Sequence, residues 1–513
     1  MAKQLPRTPT FVDLFSGCGG LSLGFQQAGF RCLVAVDSDP YAVDCYNQHL
    51  RGEMDAGAVL ADLSRIDSPA KVRRFLREHG VMASTCDVLV GGPPCQSFSV
   101  VGRNKVRALI ESNGDMAAYW REKELARTTL FEVYVQFLET LQPRWFLFEN
   151  VPAIRSHAMY QTIQERFRNL RGAGGAPLRY EIAEDNFLAS DYGVPQDRRR
   201  FLMVGHRSDL GISEWARPER QARVTVSDAL DDLPPIENGA RATVVEYDSV
   251  PATAYQALMR EGLPHEQQDL VLQHVCRTHN DDDVALFDRM EPGARFGDAA
   301  VQRAIREINP EHKLLKYSAD KFIDKLHRLH PERSSWTVTA HLQKDCYKFI
   351  HHRQARTISV REAARLQSFP DCFTFESFAM GPAFRLIGNA VPPRLAEAFA
   401  RSFIASDIGL ANVIVPRVED LVPDETWRRV QGLFAPSSFL RPGRPRLSPR
   451  KVIAAWVYIR QSGGRWSDLP RSAGLGNPTA CKRYIREWEE CGIWEQVDRM
   501  IRSGADPDAQ VAA

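Results

Sequence analysis

The sequence predicts an α/β protein: a doubly wound, Rossmann-like parallel sheet, interrupted by an inserted module and followed by a small α-helical C-terminal region. Three observations carry this. The first 210 residues alternate short apolar runs with helical patterns. Thr10–Phe15, Phe30–Val36, Asp87–Val90 and Trp145–Phe148 read as buried strands, with Leu21–Ala28, Tyr41–Leu50 and Thr129–Leu141 as helices between them. Alternation of that kind argues for parallel strands joined by crossover helices. From about Asp209 to Trp336 the pattern then decays into short, charged, poorly periodic pieces, and order resumes with a capped helix at Ser359–Gln367. The last hundred residues differ again, holding five of the nine tryptophans. There Ser448-Pro449 and Asn477-Pro478 each set a capping residue before a proline at a first helical turn. The expected organisation is a first part of the α/β fold at 1–208, a variable insert at 209–350, a return of the chain to that fold at 351–410, and a helical, basic domain at 411–513.

The composition bounds the class. With 513 residues, 44% hydrophobic and 25% charged, the chain has an ordinary globular profile and is long enough for two to four domains. The N-terminus, MAKQLPRTPTFVDLF, has no long apolar run, and no later stretch is apolar enough to span a bilayer. A cytoplasmic location without membrane partners is expected. Ten cysteines occur without CxxC or CxxC/HxxxH spacing, so neither a zinc site nor a disulfide framework is indicated. Net charge is only +2, so nucleic-acid binding would need local basic patches.

The first strand leads into Asp13-Leu-Phe-Ser-Gly-Cys-Gly-Gly20. Glycines at such a turn let a ligand approach the backbone, whose free N–H groups favour an anion. Asp37 ends the second strand, where an acid can bind ribose hydroxyls. Asp62 follows the next apolar piece and can accept from an adenine amino group. A glycine turn with two capping aspartates is the plainer reading. The spacing of loop and two acids favours a nucleoside ligand, and the departure from GxGxxG disfavours a dinucleotide. A nucleoside bearing a carboxylate, such as S-adenosylmethionine, fits.

Cys95 stands in Gly91-Gly-Pro-Pro-Cys-Gln-Ser-Phe-Ser99, behind two prolines and just past a strand. Taken alone it would be a core filler. Glu149 closes Trp145-Phe-Leu-Phe-Glu-Asn150, where apolar neighbours favour partial desolvation and a raised pKa. In Gln196-Asp-Arg-Arg-Arg200, strand alternation puts Gln196, Arg198 and Arg200 on one side; a solvated or phosphate-binding basic face is the plainer alternative.

In order, DLFSGCGG, Asp37, Asp62, GGPPCQSFS, Glu149-Asn-Val151, QDRRR, REAARLQSFP at Arg361–Pro370 and GNAVPP at Gly388–Pro393 resemble the motifs of C5-cytosine DNA methyltransferases over roughly residues 10 to 400. The resemblance implies that Cys95 attacks C6 of a cytosine flipped from duplex DNA. Glu149 then engages N3 and the exocyclic amine, Arg200 holds O2, and Arg198 supports Glu149 and the loop. It also implies that Phe15, Gly17, Gly19, Asp37, Ser38, Asp62, Pro93, Asn389 and Val391 surround S-adenosylmethionine, with no metal. Asp37 stands where the family more often has glutamate, and Ser38 replaces a larger side chain often stacked on adenine.

In that family the insert is the target-recognition region, here about Asp209 to Ile350. The expected enzyme is a monomer acting on double-stranded DNA, either with a cognate restriction endonuclease or as a solitary modification enzyme. The alternatives are a tRNA cytosine-5 methyltransferase on the same fold and a catalytically silent DNA-binding regulator. Residues 421–486 hold thirteen Arg/Lys against three Asp/Glu. With Trp427…Leu433, Gly443-Arg-Pro-Arg446, Trp466-Ser-Asp-Leu-Pro470 and Trp488…Trp494, this tail resembles the helix-turn-helix-like N-terminal region of insertion-element transposases. DNA binding by the tail is one expectation, a purely structural helical bundle the other.

Overall fold

The computed structural model describes residues 8–51, 57–82, 85–94, 130–212, 214–263, 267, 269–375, 379–411, 418–434, 448–462, 466, 469, 475 and 478–502. It divides into two compact units. The larger spans Thr10–Ala28 and Cys32–Asp407; the smaller holds Ile408–Ala513 with Met1–Pro9 and Gly29–Arg31.

The larger unit is built on a seven-stranded sheet. Its strands are β1 (Thr10–Leu14), β2 (Arg31–Asp37), β3 (Ala58–Leu60), β4 (Val88–Gly91), β5 (Trp145–Asn150), β6 (Tyr180–Leu188) and, beyond the short β7 (Gln196–Asp197), β8 (Arg199–Arg207). The order is β3-β2-β1-β4-β5-β8-β6. β1, β4 and β5 pair in parallel, as do β2 and β3, whereas β8 runs antiparallel to both β5 and β6. The crossover helices are α1 (Gly20–Gln27), α2 (Pro40–His49), α3 (Pro69–Glu78), α4 (Leu130–Leu141) and α5 (Tyr160–Arg168). β1, β4 and most of β5 are buried along their whole length, as strands covered on both faces must be. One face packs Val12, Leu14, Leu89, Phe146 and Phe148 against α3, α4 and α5.

Besides two short helices at Val226–Leu230 and Ala254–Arg260, the insert includes α6 (Asp281–Arg289) and α7 (Ala299–Ile308), which pack around a small core of Leu286, Phe287, Phe296 and Ile305. It also holds an antiparallel ribbon of β9 (Val244–Glu246) and β10 (Leu270–Leu272), while β11 (Ser335–Trp336) pairs in parallel with β7. The chain returns through α8 (Val360–Leu366), α9 (Met380–Asn389) and α10 (Pro393–Ser406). α8 opens with a capping box between Ser359 and Glu362, as its sequence predicts. α10 lies on α1 at close range: a Cβ on Gly24 would sit 2.3 Å from the Pro393 carbonyl oxygen. Phe403 of α10 stacks on Trp145 at 4.7 Å. The last motif of the sequence is thereby brought onto the first.

In the smaller unit, α11 (Asp424–Val430), α12 (Pro449–Ser462), α13 (Pro478–Glu490) and α14 (Ile493–Arg502) enclose a core that includes Val452, Ile453, Val457, Trp488 and Val497. Pro449 and Pro478 stand first in their helices. Among the described residues, no helix is long and apolar enough to cross a membrane.

Candidate active site

The site lies at the C-terminal ends of β1, β2, β4 and β5, where an open α/β sheet leaves a crevice. After β1 the backbone turns through left-handed conformations at Phe15 (φ 61°), Gly17 (φ 55°) and Gly19 (φ 93°). Phe15 bears the steric cost of that region, and Gly17 avoids it. The turn is hooked to β2: the Ser16 N–H donates to the Val36 carbonyl at 3.0 Å, and the Gly17 N–H donates to Asp37 Oδ2 at 2.8 Å. Asp37 Oδ1 accepts from the Asp39 N–H at 2.9 Å. Burial raises the Asp37 carboxyl above its ordinary pKa against the pull of these two N–H donors.

Asp62 serves twice. It caps a short helix, accepting from the Ser64 N–H at 3.0 Å, and it also lines the central cavity. Of the two aspartates that the plainer reading makes caps, Asp62 is one, whereas the cap of α2 is Asp39 and not Asp37. Beneath the loop, Asp13 is fully buried; Ser22 Oγ donates to its Oδ2 at 2.6 Å, and Oδ1 has no hydrogen-bond partner. Burial pushes this carboxyl up to about 7.

At the other end, β4 runs out into Gly92, Pro93 and Pro94. Asn150 Nδ2 donates to the Pro93 carbonyl at 3.2 Å, fastening this approach to the end of β5. Cys95 lies outside the described residues. Glu149, next to last in β5, is 13% exposed at its side chain. A Cβ on Gly92 would sit 2.6 Å from Glu149 Oε2, so a larger residue here would make the carboxylate shift. Arg200 Nε lies 2.9 Å from Glu149 Oε1. Burial raises the Glu149 carboxyl, and the guanidiniums of Arg200 and Arg198 only partly counter it.

Arg198 is placed differently from Arg200. It is fully buried and spends its guanidinium on backbone carbonyls: Val338 at 2.5 Å, Gly388 at 3.0 Å and Ala390 at 2.9 Å. The direct partner of Glu149 is thus Arg200, while Arg198 acts on Glu149 through its charge and on the last motif through hydrogen bonds. Gln196 belongs to the same knot, donating to the Leu366 carbonyl and Gln367 Oε1 and accepting from the Val338 N–H.

These groups line one cavity of about 310 Å³. Phe15, Gly17, Asp37, Ser38, Asp62, Pro93, Glu149, Arg198, Arg200, Asn389 and Val391 all contribute to its wall. Gly19 does not. A Cβ there would meet Leu50 Cδ1 at 2.2 Å and Tyr46 at 2.8 Å, so Gly19 serves as the tight start of α1 rather than as cavity wall. Ser16, Val151 and Ala390, which stand inside the quoted motifs, and Asp39, Leu63 and Leu386, which no motif contains, also line the cavity. Each of the last three flanks a residue singled out in the sequence, or lies one helical turn away, and adjacency is the only signal the sequence offers for them. Gly17 would place a Cβ in open space, with nothing within 4 Å, so the loop leaves room for a ligand at its bend.

Comparisons with known proteins agree with this geometry. The model of the C-5 cytosine-specific DNA methylase family matches residues 9–405, and one described as a transposase of the IS4/5 family (DUF4096) matches residues 422–497. The type II methyltransferase M.AgeI of Thalassovita gelatinovora is 32% identical over 450 residues, covering 76% of this chain and 98% of that protein. M.DdeI of Desulfomicrobium norvegicum is 29% identical over 421 residues, covering 78% and 90%. A solved structure described as a DNA modification methyltransferase encoded within an E. coli prophage superposes with a TM-score of 0.57 at 25% identity, covering 78% of this chain and 99% of that one. With the family match running from before β1 through nearly all of α10, and so across every wall of the cavity, the chain belongs to the C-5 cytosine-specific DNA methylases, as a DNA methyltransferase with an IS4/5 transposase-like C-terminal segment.

Proposed function

We propose that this chain transfers a methyl group from S-adenosylmethionine to C5 of a cytosine flipped out of duplex DNA, with Cys95 as the covalent nucleophile. The observation that carries the reading is the continuity of the cavity. It joins a nucleoside-type end, with Asp37 and Asp62, to the Glu149–Arg200 pair and the Pro93-Pro94 approach to Cys95. The donor set suits the cofactor: Asp37 and Asp62 offer lone pairs to hydroxyl and amino groups, Phe15, Leu63 and Leu386 offer apolar surface, and the bend at Gly17 is open. When bound, S-adenosylmethionine supplies a methyl group activated by a positive sulfur.

The chain's own residues do the rest. The Cys95 thiolate adds to C6, and the ring electrons shift so that C5 becomes enamine-like and nucleophilic. Glu149, raised by burial, holds a proton toward N3 and accepts from the exocyclic amine. Arg200 keeps that carboxyl oriented and offers its remaining N–H groups to O2. A base then takes the C5 proton, the freed C–H electron pair re-forms the C5–C6 double bond, and Cys95 leaves C6 as the thiolate. Because the ring is approached from its face, the base must leave the stack. Residues 209–350 are assigned to target recognition, with some side chains on base edges and the rest on phosphates. The type II relatives favour a restriction-modification setting.

Duplex DNA carrying 5-fluorocytosine tests the reading, since fluorine cannot leave as a proton does. With cofactor present it should trap a denaturation-resistant adduct, and Cys95→Ala should give none. Glu149→Gln should bind cofactor and DNA but turn over about 10²-fold more slowly. An adduct that survives Cys95→Ala would move the nucleophile elsewhere. Bisulfite sequencing of DNA from an expressing host would give the recognition site.

A further inference from the structure

Within the smaller unit, α13 presents two unlike faces. Cys481, Tyr484, Ile485 and Trp488 are buried in the core, while Lys482, Arg483 and Arg486 are exposed. Arg486 follows Lys482 by four residues and Arg483 by three, so the three side chains share one stripe. Arg483 lies 3.7 Å from Glu487, but the described residues give neither Lys482 nor Arg486 an ion pair.

The charge order of this helix runs against its own backbone. The three cations stand in its N-terminal nine residues and Glu487, Glu489 and Glu490 in its last four; there is no acid in the first turn and no base in the last. A helix macrodipole favours the reverse order, and the Lys482–Arg486 pair adds like-charge repulsion at i,i+4. Stability of the helix does not account for this pattern, whereas an external polyanion would. Among the described residues, the other exposed charges of the unit are mixed in sign: Glu425 stands beside Arg428, and Glu495 is one turn from Arg499. Among those residues the stripe is therefore a local patch.

We infer that the Lys482–Arg483–Arg486 stripe is a second duplex-DNA contact, binding phosphates independently of sequence and separately from the methylation cavity. It rests on the reading that duplex DNA is the substrate. The partner is argued from charge complementarity: a duplex sets phosphates along its grooves at spacings that adjacent turns of an exposed helix can match. Anchoring of this kind adds affinity and salt sensitivity but carries no base readout.

The test uses the full-length chain. Lys482→Gln/Arg483→Gln/Arg486→Gln should lower the slope of log affinity against log salt by about two to three, at roughly 0.9 for each phosphate no longer neutralised. A second triple, Arg428→Gln/Lys451→Gln/Arg499→Gln, makes the same net-charge change at other exposed positions and should lower it by less than about one. Glu487→Gln/Glu489→Gln/Glu490→Gln should tighten binding. All nine positions lie at the surface, so the unfolding temperature should not fall, and the two triples on α13 should leave Tm unchanged or raise it slightly by relieving the unfavourable charge order. Equal effects of the two basic triples would overturn the patch, leaving only a net-charge effect. So would a loss confined to single-stranded RNA. An unchanged slope with normal methylation would overturn this inference alone. A slope that responds to the stripe in a chain that never methylates DNA would instead sink the catalytic reading and leave the surface standing.

Discussion

Asp13→Asn should make this protein more stable at alkaline pH, although Asp13 stands in the motif that opens the site. The side chain is fully buried, has one oxygen without a hydrogen-bond partner, and lies near enough to Asp37 to feel its charge. Burial pushes its pKa from the ordinary 3.8 to about 7. Below about 3.8 the carboxyl is protonated in both folded and unfolded chains and nothing is lost. Between 3.8 and 7 the folded chain holds a proton that the unfolded chain has released, so stability falls as pH rises through this window. Above 7 the loss is complete, and at 1.36 kcal/mol per pKa unit it amounts to about 4 kcal/mol. Asparagine keeps an acceptor for the Ser22 hydroxyl and carries no charge. The variant should gain about 2 kcal/mol at about pH 5 and about 4 kcal/mol at about pH 8.5. At roughly 2 °C per kcal/mol for a unit of this size, the Tm difference should double between the two pH values. Thermal unfolding of both proteins across that pH range measures it. A variant destabilised at the alkaline end, or a Tm difference indifferent to pH, would show that Asp13 is ionised and satisfied in the folded chain.

Arg198→Met should cost about 3–5 kcal/mol, because it strands buried carbonyls that a charged donor now satisfies. It should also weaken binding of S-adenosylhomocysteine in calorimetry, since Ala390 lies between Asn389 and Val391 on the cavity wall; an unshifted Tm would refute the clamp. Gly388→Ala would set a Cβ 2.2 Å from the Thr339 carbonyl carbon and 2.3 Å from the Ala340 nitrogen, both backbone atoms, and should cost about 1–3 kcal/mol with weakened cofactor affinity. Gly432→Ala, where a Cβ meets nothing within 4 Å, should be neutral or slightly stabilising in the same unfolding assay.

What could be read from the sequence follows from how locally each feature is determined. β1, β2, β4 and β5 are short apolar runs, and their burial is visible in composition alone. The acids at strand ends and the glycine turn could be placed because an open sheet sets its ligand-facing residues at fixed chain positions. β6 carries no such signal: Glu181, Glu184 and Asp185 break any apolar pattern, and as an edge strand most of its side chains are only half-buried. The work of Arg198 is equally hidden, since its partners lie 140 to 192 residues further on. Periodicity would likewise leave Arg361, Glu362 and Arg365 in solvent, yet all three are buried. Arg356 pairs with Glu362 at 2.6 Å, and Arg361 donates to the carbonyls of Leu272, Pro370 and Phe373. Only the fold supplies those partners.

That buried charge bears on how the insert is held. Arg365 of α8 reaches Asp371 at 2.6 Å and Asp232 of the insert, while Tyr247 of the insert donates to Asp371 at 2.5 Å. Tyr255 donates to the Arg365 carbonyl at 2.5 Å. Buried ion pairs of this kind add little net stability over apolar packing, but leaving one partner unpaired is costly, so they penalise any arrangement except the native one. On the far side, Gln196 and Arg198 bind Val338, and Gln367 donates to the carbonyls of Ile387 and Ala390. The insert is therefore fastened to α8 and the turn after it at one margin and, through Arg198, to the cavity wall at the other, by groups that cannot slide without stranding a charge or a carbonyl. A long, irregular segment is tolerable between such anchors because closure entropy grows only slowly with length. Its surface can differ in residue type while these anchors stay fixed; for the target-recognition role proposed for residues 209–350, that is the physical condition for changing what is recognised without changing what is done to it.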